Sequence, residues 1–237
     1  MPIQIELKDL RYSYPKALLP TLQIPLLQIE QGERVFIYGS SGSGKTTLLE
    51  ILAGVLLPQS GKLQILEQNL VDMTSAQRDS FRADHLGYVF QSFNLIPYLS
   101  VEENILLPLS LSQVRRSRLG KNSPDLEVAH LCESLGIGEF RKRKVTELSV
   151  GQQQRVAVAR ALLGHPEIIL ADEPTSSLDS DHREKFIQLL FKVCAERQTT
   201  VLFVSHDRSL EKLFSRVISF HELNQAGNDG VKKGSSV

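Results

Sequence analysis

GSSGSGKTT at residues 39–47 follows Val35, Phe36, Ile37 and Tyr38 and precedes Leu48, Leu49, Ile51, Leu52, Val55 and Leu56 at helical spacing. The order is strand, loop, helix, and the loop satisfies GxxxxGK[ST]. Glycines let the backbone curl so that successive N–H groups point inward at phosphate oxygens. The helix that follows presents its positive N-terminus to the same anion. Lys45 reaches the β- and γ-phosphates, and the Thr46 hydroxyl is placed for Mg²⁺. Gly39, Ser40, Ser41, Gly42, Ser43, Gly44, Lys45, Thr46 and Thr47 therefore form a candidate nucleotide-phosphate site.

Outward from this loop, two short β-branched runs suit strands buried on both faces of a parallel sheet. They are Ile168 to Ala171 and Val201 to Val204. The first ends in Asp172 and Glu173, where open α/β sheets bind ligands. Asp172 is the candidate to complete a Mg²⁺ shell and Glu173 the candidate to polarise an attacking water. The first forty residues alternate apolar and polar, the pattern of short, partly antiparallel strands. From about Val101 to Gly164 the patterning is helical, with Pro108 and Pro124 as breaks or helix starts. Ser149 and Gln152 make an S-x-x-Q capping box, so a helix begins there. The expected fold class is α/β: a P-loop NTPase core with a mixed or parallel sheet, an N-terminal antiparallel β region and an inserted helical subdomain. Residues 1–90 and 165–222 form the core, 91–164 the helical subdomain, and 223–237 a frayed tail.

Among its 237 residues the chain balances 27 Lys and Arg against 27 Asp and Glu, a net charge of zero. That argues against holding nucleic acid by bulk charge. Cys132 and Cys194 are far apart and outside any CxxC, so they read as small buried residues of a reducing compartment. No run of eighteen apolar residues exists, and no secretory signal is visible. A chain that does not cross a membrane by itself is expected.

Five segments in order carry a resemblance: the loop at 39–46, VFQ ending in Gln91, LSVGQQQRVAVARAL at 148–162, ILADEPTSSLD at 169–179, and VSHD ending in Asp207. The ordered set resembles the ATPase subunit of ABC transporters, over nearly the whole chain from Ile3 to Ser219. The resemblance implies ATP and Mg²⁺ as cofactors. It implies that Tyr14 stacks on adenine, with Tyr12 as a rival two residues away. Gln91 then senses Mg²⁺ and the attacking water. Ser149, Gly151 and Gln152 belong to the signature that contacts ATP held by a second copy. Glu173 is implied as the catalytic carboxylate, Asp179 as the residue coupling the two sites, and His206 as the switch histidine on the γ-phosphate. The other five histidines read as surface or packing residues.

The same resemblance implies a homodimer in the ATP-bound state, a separate membrane permease as partner, and a peripheral place on the cytoplasmic face of the inner membrane. LGYVFQSFNLIPYLSVEENILLPL at 86–109 is similar to the LolD/MacB group, which implies export or mechanotransmission. The division-associated FtsE relative shares the general pattern. Two departures stand out. Val150 replaces a usual glycine of the signature, and Ser177 stands where alanine or asparagine is common. Valine is disfavoured at positive φ, so Val150 must take a β or helical backbone and point away from the nucleotide. The basic runs at Arg115, Arg116 and Arg118, and at 141–144, read as a solvated face of the helical lobe. Some of Phe93, Leu95, Ile96, Pro97, Tyr98 and Leu99 are expected to form a groove for a permease helix.

Overall fold

The computed structural model describes residues 1–176, 178 and 180–226. In chain order the first half runs β1 Ile3–Tyr12, β2 Leu22–Glu30, β3 Arg34–Tyr38, α1 Lys45–Leu52, β4 Ser60–Ile65, β5 Gln68–Asn69, α2 Ser75–His85 and β6 Leu86–Val89. The helical stretch follows, with α3 Val101–Leu111, α4 Gln113–Arg118, α5 Pro124–Ser134 and α6 Val150–Leu162. The chain then returns through β7 Ile168–Asp172, α7 Ser180–Ala195, β8 Thr200–Ser205, β9 Arg216–Ser219 and α8 Phe220–Leu223.

Two sheets result. The antiparallel one has order β2-β1-β4-β5, and the parallel one has order β6-β7-β8-β3-β9. The β-branched runs predicted as buried strands are β7 and β8, and every residue of both is buried. Alternation along the parallel strands splits the core in two. Val35, Ile37, Ile168, Leu170, Leu202 and Val204 pack towards α1 and the antiparallel sheet. Phe36, Ile169, Ala171, Val201 and Phe203 pack towards the helical stretch and α7. A parallel sheet covered on both faces puts the carboxyl ends of β3, β7 and β8 side by side, where the glycine-rich loop, Asp172 and His206 emerge.

Several expectations need correction. Helix α1 stops at Leu52, so Val55 and Leu56 lie beyond it. Gly54 turns left-handed at φ 64°, and Arg82 and Arg78 donate to the carbonyls of Ala53 and Gly54. Pro108 neither breaks nor starts a helix but sits inside α3, whereas Pro124 does start α5. Cys132 and Cys194, by contrast, are buried on helices as expected, and burial pushes their thiols up to about 11 and about 12. The tail is tied down further than read: Asn224 accepts from the Gln23 N–H at 2.8 Å and donates to the Thr21 carbonyl at 3.0 Å. Residues 227–237 lie outside the described residues.

The largest correction concerns the first basic run. Arg115 is 2% exposed, and its guanidinium donates to the carbonyls of Leu86, Ala161 and Leu163. Arg118 donates to the carbonyls of Asp84 and His165 and pairs with Glu167 at 2.6 Å. These arginines seal the ends of α2 and α6 rather than face solvent. Arg115→Ala removes the donors to three carbonyls of buried residues and is expected to destabilise the fold by about 3 kcal/mol. The check is a lowered urea midpoint at unchanged slope.

Candidate nucleotide site

The loop between β3 and α1 keeps two glycines where only glycine sits without strain, Gly42 at φ 73° and Gly44 at φ 107°. Inside it, Lys45 is 5% exposed and its ammonium donates to the carbonyls of Gly39 and Ser40, both at 2.8 Å. The Gly39 N–H donates to the Ser205 carbonyl at 3.2 Å, tying the loop to the end of β8. The Ser43 hydroxyl is buried without a partner. An unpaired buried hydroxyl among inward-facing backbone is what an anion-binding loop leaves for its ligand.

A cavity of about 280 Å³ opens over this loop. Ser41, Gly42, Gly44, Lys45, Thr46 and Thr47 line it together with Tyr14, Thr21, Gln91, Asp172 and Glu173. Between the rival tyrosines the structure separates a core residue from a cavity residue. Tyr12 is 6% exposed and Tyr14 is 42% exposed, the two rings packing edge to face at 5.1 Å. The Tyr14 hydroxyl meets the Thr47 hydroxyl at 3.0 Å and donates to Glu50 at 3.5 Å. Thr21 and Glu50 carry no motif signature, so sequence reasoning had no means to find them.

Glu173 is held at both carboxylate oxygens. One lies 3.5 Å from the Lys45 ammonium and the other 2.8 Å from His206 Nδ1. Its backbone is left-handed at φ 43°, an unfavourable setting for a non-glycine residue that clusters at functional sites. Asp172, one residue before, is buried at the end of β7. Burial raises its carboxyl above the usual range, the neighbouring Glu173 adds to the rise, and the Thr46 hydroxyl and Lys45 oppose it.

Mg²⁺ is tested by this donor set. Thr46 and Asp172 bring hard oxygen donors to one cavity wall, with the Gln91 amide on the same cavity. Few protein oxygens, with phosphates and water to complete the shell, is how Mg²⁺ is usually held. Among the described residues no group of three His, Cys, Asp or Glu side chains is placed to hold a metal alone. The residues fit a cation that arrives with a nucleotide.

Ser149, Gly151 and Gln152 are not part of this cavity. They start α6, where the Ser149 hydroxyl accepts from the Gln152 N–H at 3.4 Å and the Gln152 amide oxygen accepts from the Ser149 N–H at 2.8 Å. Val150 is the first residue of that helix, in helical backbone, one of the two expected for a valine there, and 48% exposed. Asp179 and Ser177 lie outside the described residues. The groove beside Gln91, of about 390 Å³, is lined by Tyr88, Phe90, Asn94, Leu107, Pro108 and Leu111 among others. Phe93, Leu95, Ile96, Pro97, Tyr98 and Leu99 do not line it. Phe93 turns into the core instead, and Tyr98 is 74% exposed elsewhere.

A protein-family model described as ABC transporter matches residues 22–176. The chain is 37% identical over 218 residues to the lipoprotein-releasing system ATP-binding protein LolD of Porphyromonas gingivalis, covering 92% of this chain and 96% of that one. It is also 37% identical over 226 residues to the macrolide export ATP-binding/permease protein MacB of Syntrophobacter fumaroxidans, yet spans only 30% of that longer protein. Among solved structures, a dimeric ATP-binding cassette in a post-hydrolysis state with ADP and Pi superimposes with a TM-score of 0.80. It is 38% identical, with 91% of this chain and 93% of that one covered.

Proposed function

The chain belongs to the ABC transporter family and is an ATP-hydrolysing cassette, and on that premise we propose that it powers a separate membrane permease by ATP-driven pairing of two copies. The observation that carries this reading is a division of labour. Lys45, Thr46, Asp172 and Glu173 share one cavity, while Ser149 and Gly151 sit at the start of α6 outside it. A second copy presenting its α6 start to the γ-phosphate completes each site. Among the described residues no helix is long and apolar enough to cross a membrane.

The chain's own residues divide the work as follows. Tyr14 offers its ring to adenine, and the loop N–H groups with Lys45 hold the β- and γ-phosphates. Thr46, Asp172 and Gln91 would hold a Mg²⁺ ion arriving with ATP, which would neutralise phosphate charge. Glu173 orients the attacking water and takes its proton, and His206, already bonded to Glu173, contacts the γ-phosphate. Water bonds to the γ-phosphorus as the β–γ bridging P–O bond breaks; the γ-phosphate shared by the two copies leaves as Pi, ADP stays behind, and the copies part.

The similarity to LolD and MacB favours a permease with a large extracytoplasmic part and a role in export or mechanotransmission. The groove next to Gln91 is the surface offered to that permease at the cytoplasmic face of the membrane. Purifying the chain from gently solubilised native membranes and identifying its companions by mass spectrometry tests this. A permease with an extracytoplasmic domain is the expected companion. Recovery with ribosomes or nucleic acid alone would overturn the transporter reading and leave the ATPase intact.

A further inference from the structure

Two residues past Gln91 the backbone turns left-handed twice in succession, at Phe93 (φ 60°) and Asn94 (φ 48°). Each such residue that is not glycine costs on the order of 1 kcal/mol, so the pair needs holding. Locally, the Phe93 N–H donates to the Phe90 carbonyl at 3.1 Å, closing a tight turn with Gln91 at its second position. The carbonyls of the strained pair then point at one side chain. Arg160 donates to the Phe93 carbonyl and to the Asn94 carbonyl, each at 2.6 Å. A half-buried guanidinium bonded to two consecutive carbonyls is a geometric lock, because its planar fork fixes both oxygens at once.

Arg160 lies in the last turn of α6, the helix that begins at Ser149. Midway along the same helix, fully buried Gln154 donates its amide N–H to the carbonyl of Pro174, the residue after Glu173. One helix thus touches two of the loops that face the nucleotide cavity in its own chain, while its first turn is offered to the nucleotide of a second copy.

We infer that Arg160 is a positioning residue for hydrolysis: by holding Phe93 and Asn94 left-handed it fixes the Gln91 turn at the nucleotide cavity. The inference rests on the role proposed above for Gln91. The competing account is that Phe93, 7% exposed, anchors the turn by burial alone.

The test uses the full chain and four variants: Arg160→Ala, Arg160→Lys, Gln91→Ala and the Arg160→Ala, Gln91→Ala double variant. Arg160→Ala is expected to lower kcat at saturating ATP at least tenfold while ATP affinity, read with a fluorescent ATP analogue, moves less than twofold. Arg160→Lys is expected to recover part of the rate, since an ammonium reaches the carbonyls without the fork; it also serves if the alanine variant does not fold. The double variant is expected to be no slower than Gln91→Ala alone, because both changes remove one function. Turnover of Arg160→Ala within twofold of the parent, or multiplied losses in the double variant, overturns the inference while a slow Gln91→Ala leaves the proposed role of Gln91 standing. Parental turnover of Gln91→Ala overturns both.

Discussion

Lys45→Ala is expected to reduce kcat/KM for ATP by about 10²- to 10³-fold, the loss typical of one charged group that faces developing charge in a water-poor site. The size follows from where the ammonium sits. It is 5% exposed, fixed on two carbonyls of its own loop, and 3.5 Å from a Glu173 oxygen. Its position is therefore set before any nucleotide arrives, and little reorganisation offsets the attraction to phosphate. Alanine also leaves Glu173 without its cation, so the carboxylate that should face water loses one of its two restraints. Lys45→Arg is expected to fail nearly as badly, because a planar fork does not fit the space in which a compact ammonium meets both the Gly39 and Ser40 carbonyls. ATP turnover and titration with a fluorescent ATP analogue give the answer. Near-parental turnover in Lys45→Ala would remove the phosphate-binding assignment.

What made the loop at 39–47 legible is that its chemistry is local. Two glycines, the lysine and three of the hydroxyls that line the cavity lie within nine consecutive residues, and flanking periodicity announces the strand and helix they need. The capping box at Ser149 and the strand ends at Asp172 and Ser205 are local in the same sense. Arg115 failed for the opposite reason. Its acceptors come from residues 86, 161 and 163, and nothing in a basic run says that carbonyls from distant elements converge on it. The groove next to Gln91 is likewise assembled from distant segments: α2, β6 and α3 supply three lining residues each, with Arg115, Arg160 and Ala161 joining Phe90 and Asn94. Gln154 and Arg160 sit in the stretch QQQRVAVARAL, where no local pattern sets them apart; only their partners at Pro174, Phe93 and Asn94 give them meaning.

Glu173→Gln is expected to slow hydrolysis by about 10²- to 10⁴-fold, the usual contribution of a positioned general base, while leaving ATP binding close to the parental level. The amide keeps the shape of the carboxyl and can still face His206 and Lys45, so the cavity stays open and filled. It cannot accept a proton from water at neutral pH, and that is the step lost. The left-handed backbone at residue 173 and its N–H bond to the Val204 carbonyl at 3.0 Å are independent of the side chain, so the strained turn survives the exchange. ATP then persists between copies, and the variant should elute as a dimer in size-exclusion chromatography with ATP and as a monomer with ADP. Parental hydrolysis would move the base elsewhere. A variant that binds ATP, does not hydrolyse it and stays monomeric would separate the two halves of the reading: Glu173 would stand as the base, and the start of α6 would lose its place at the partner's γ-phosphate.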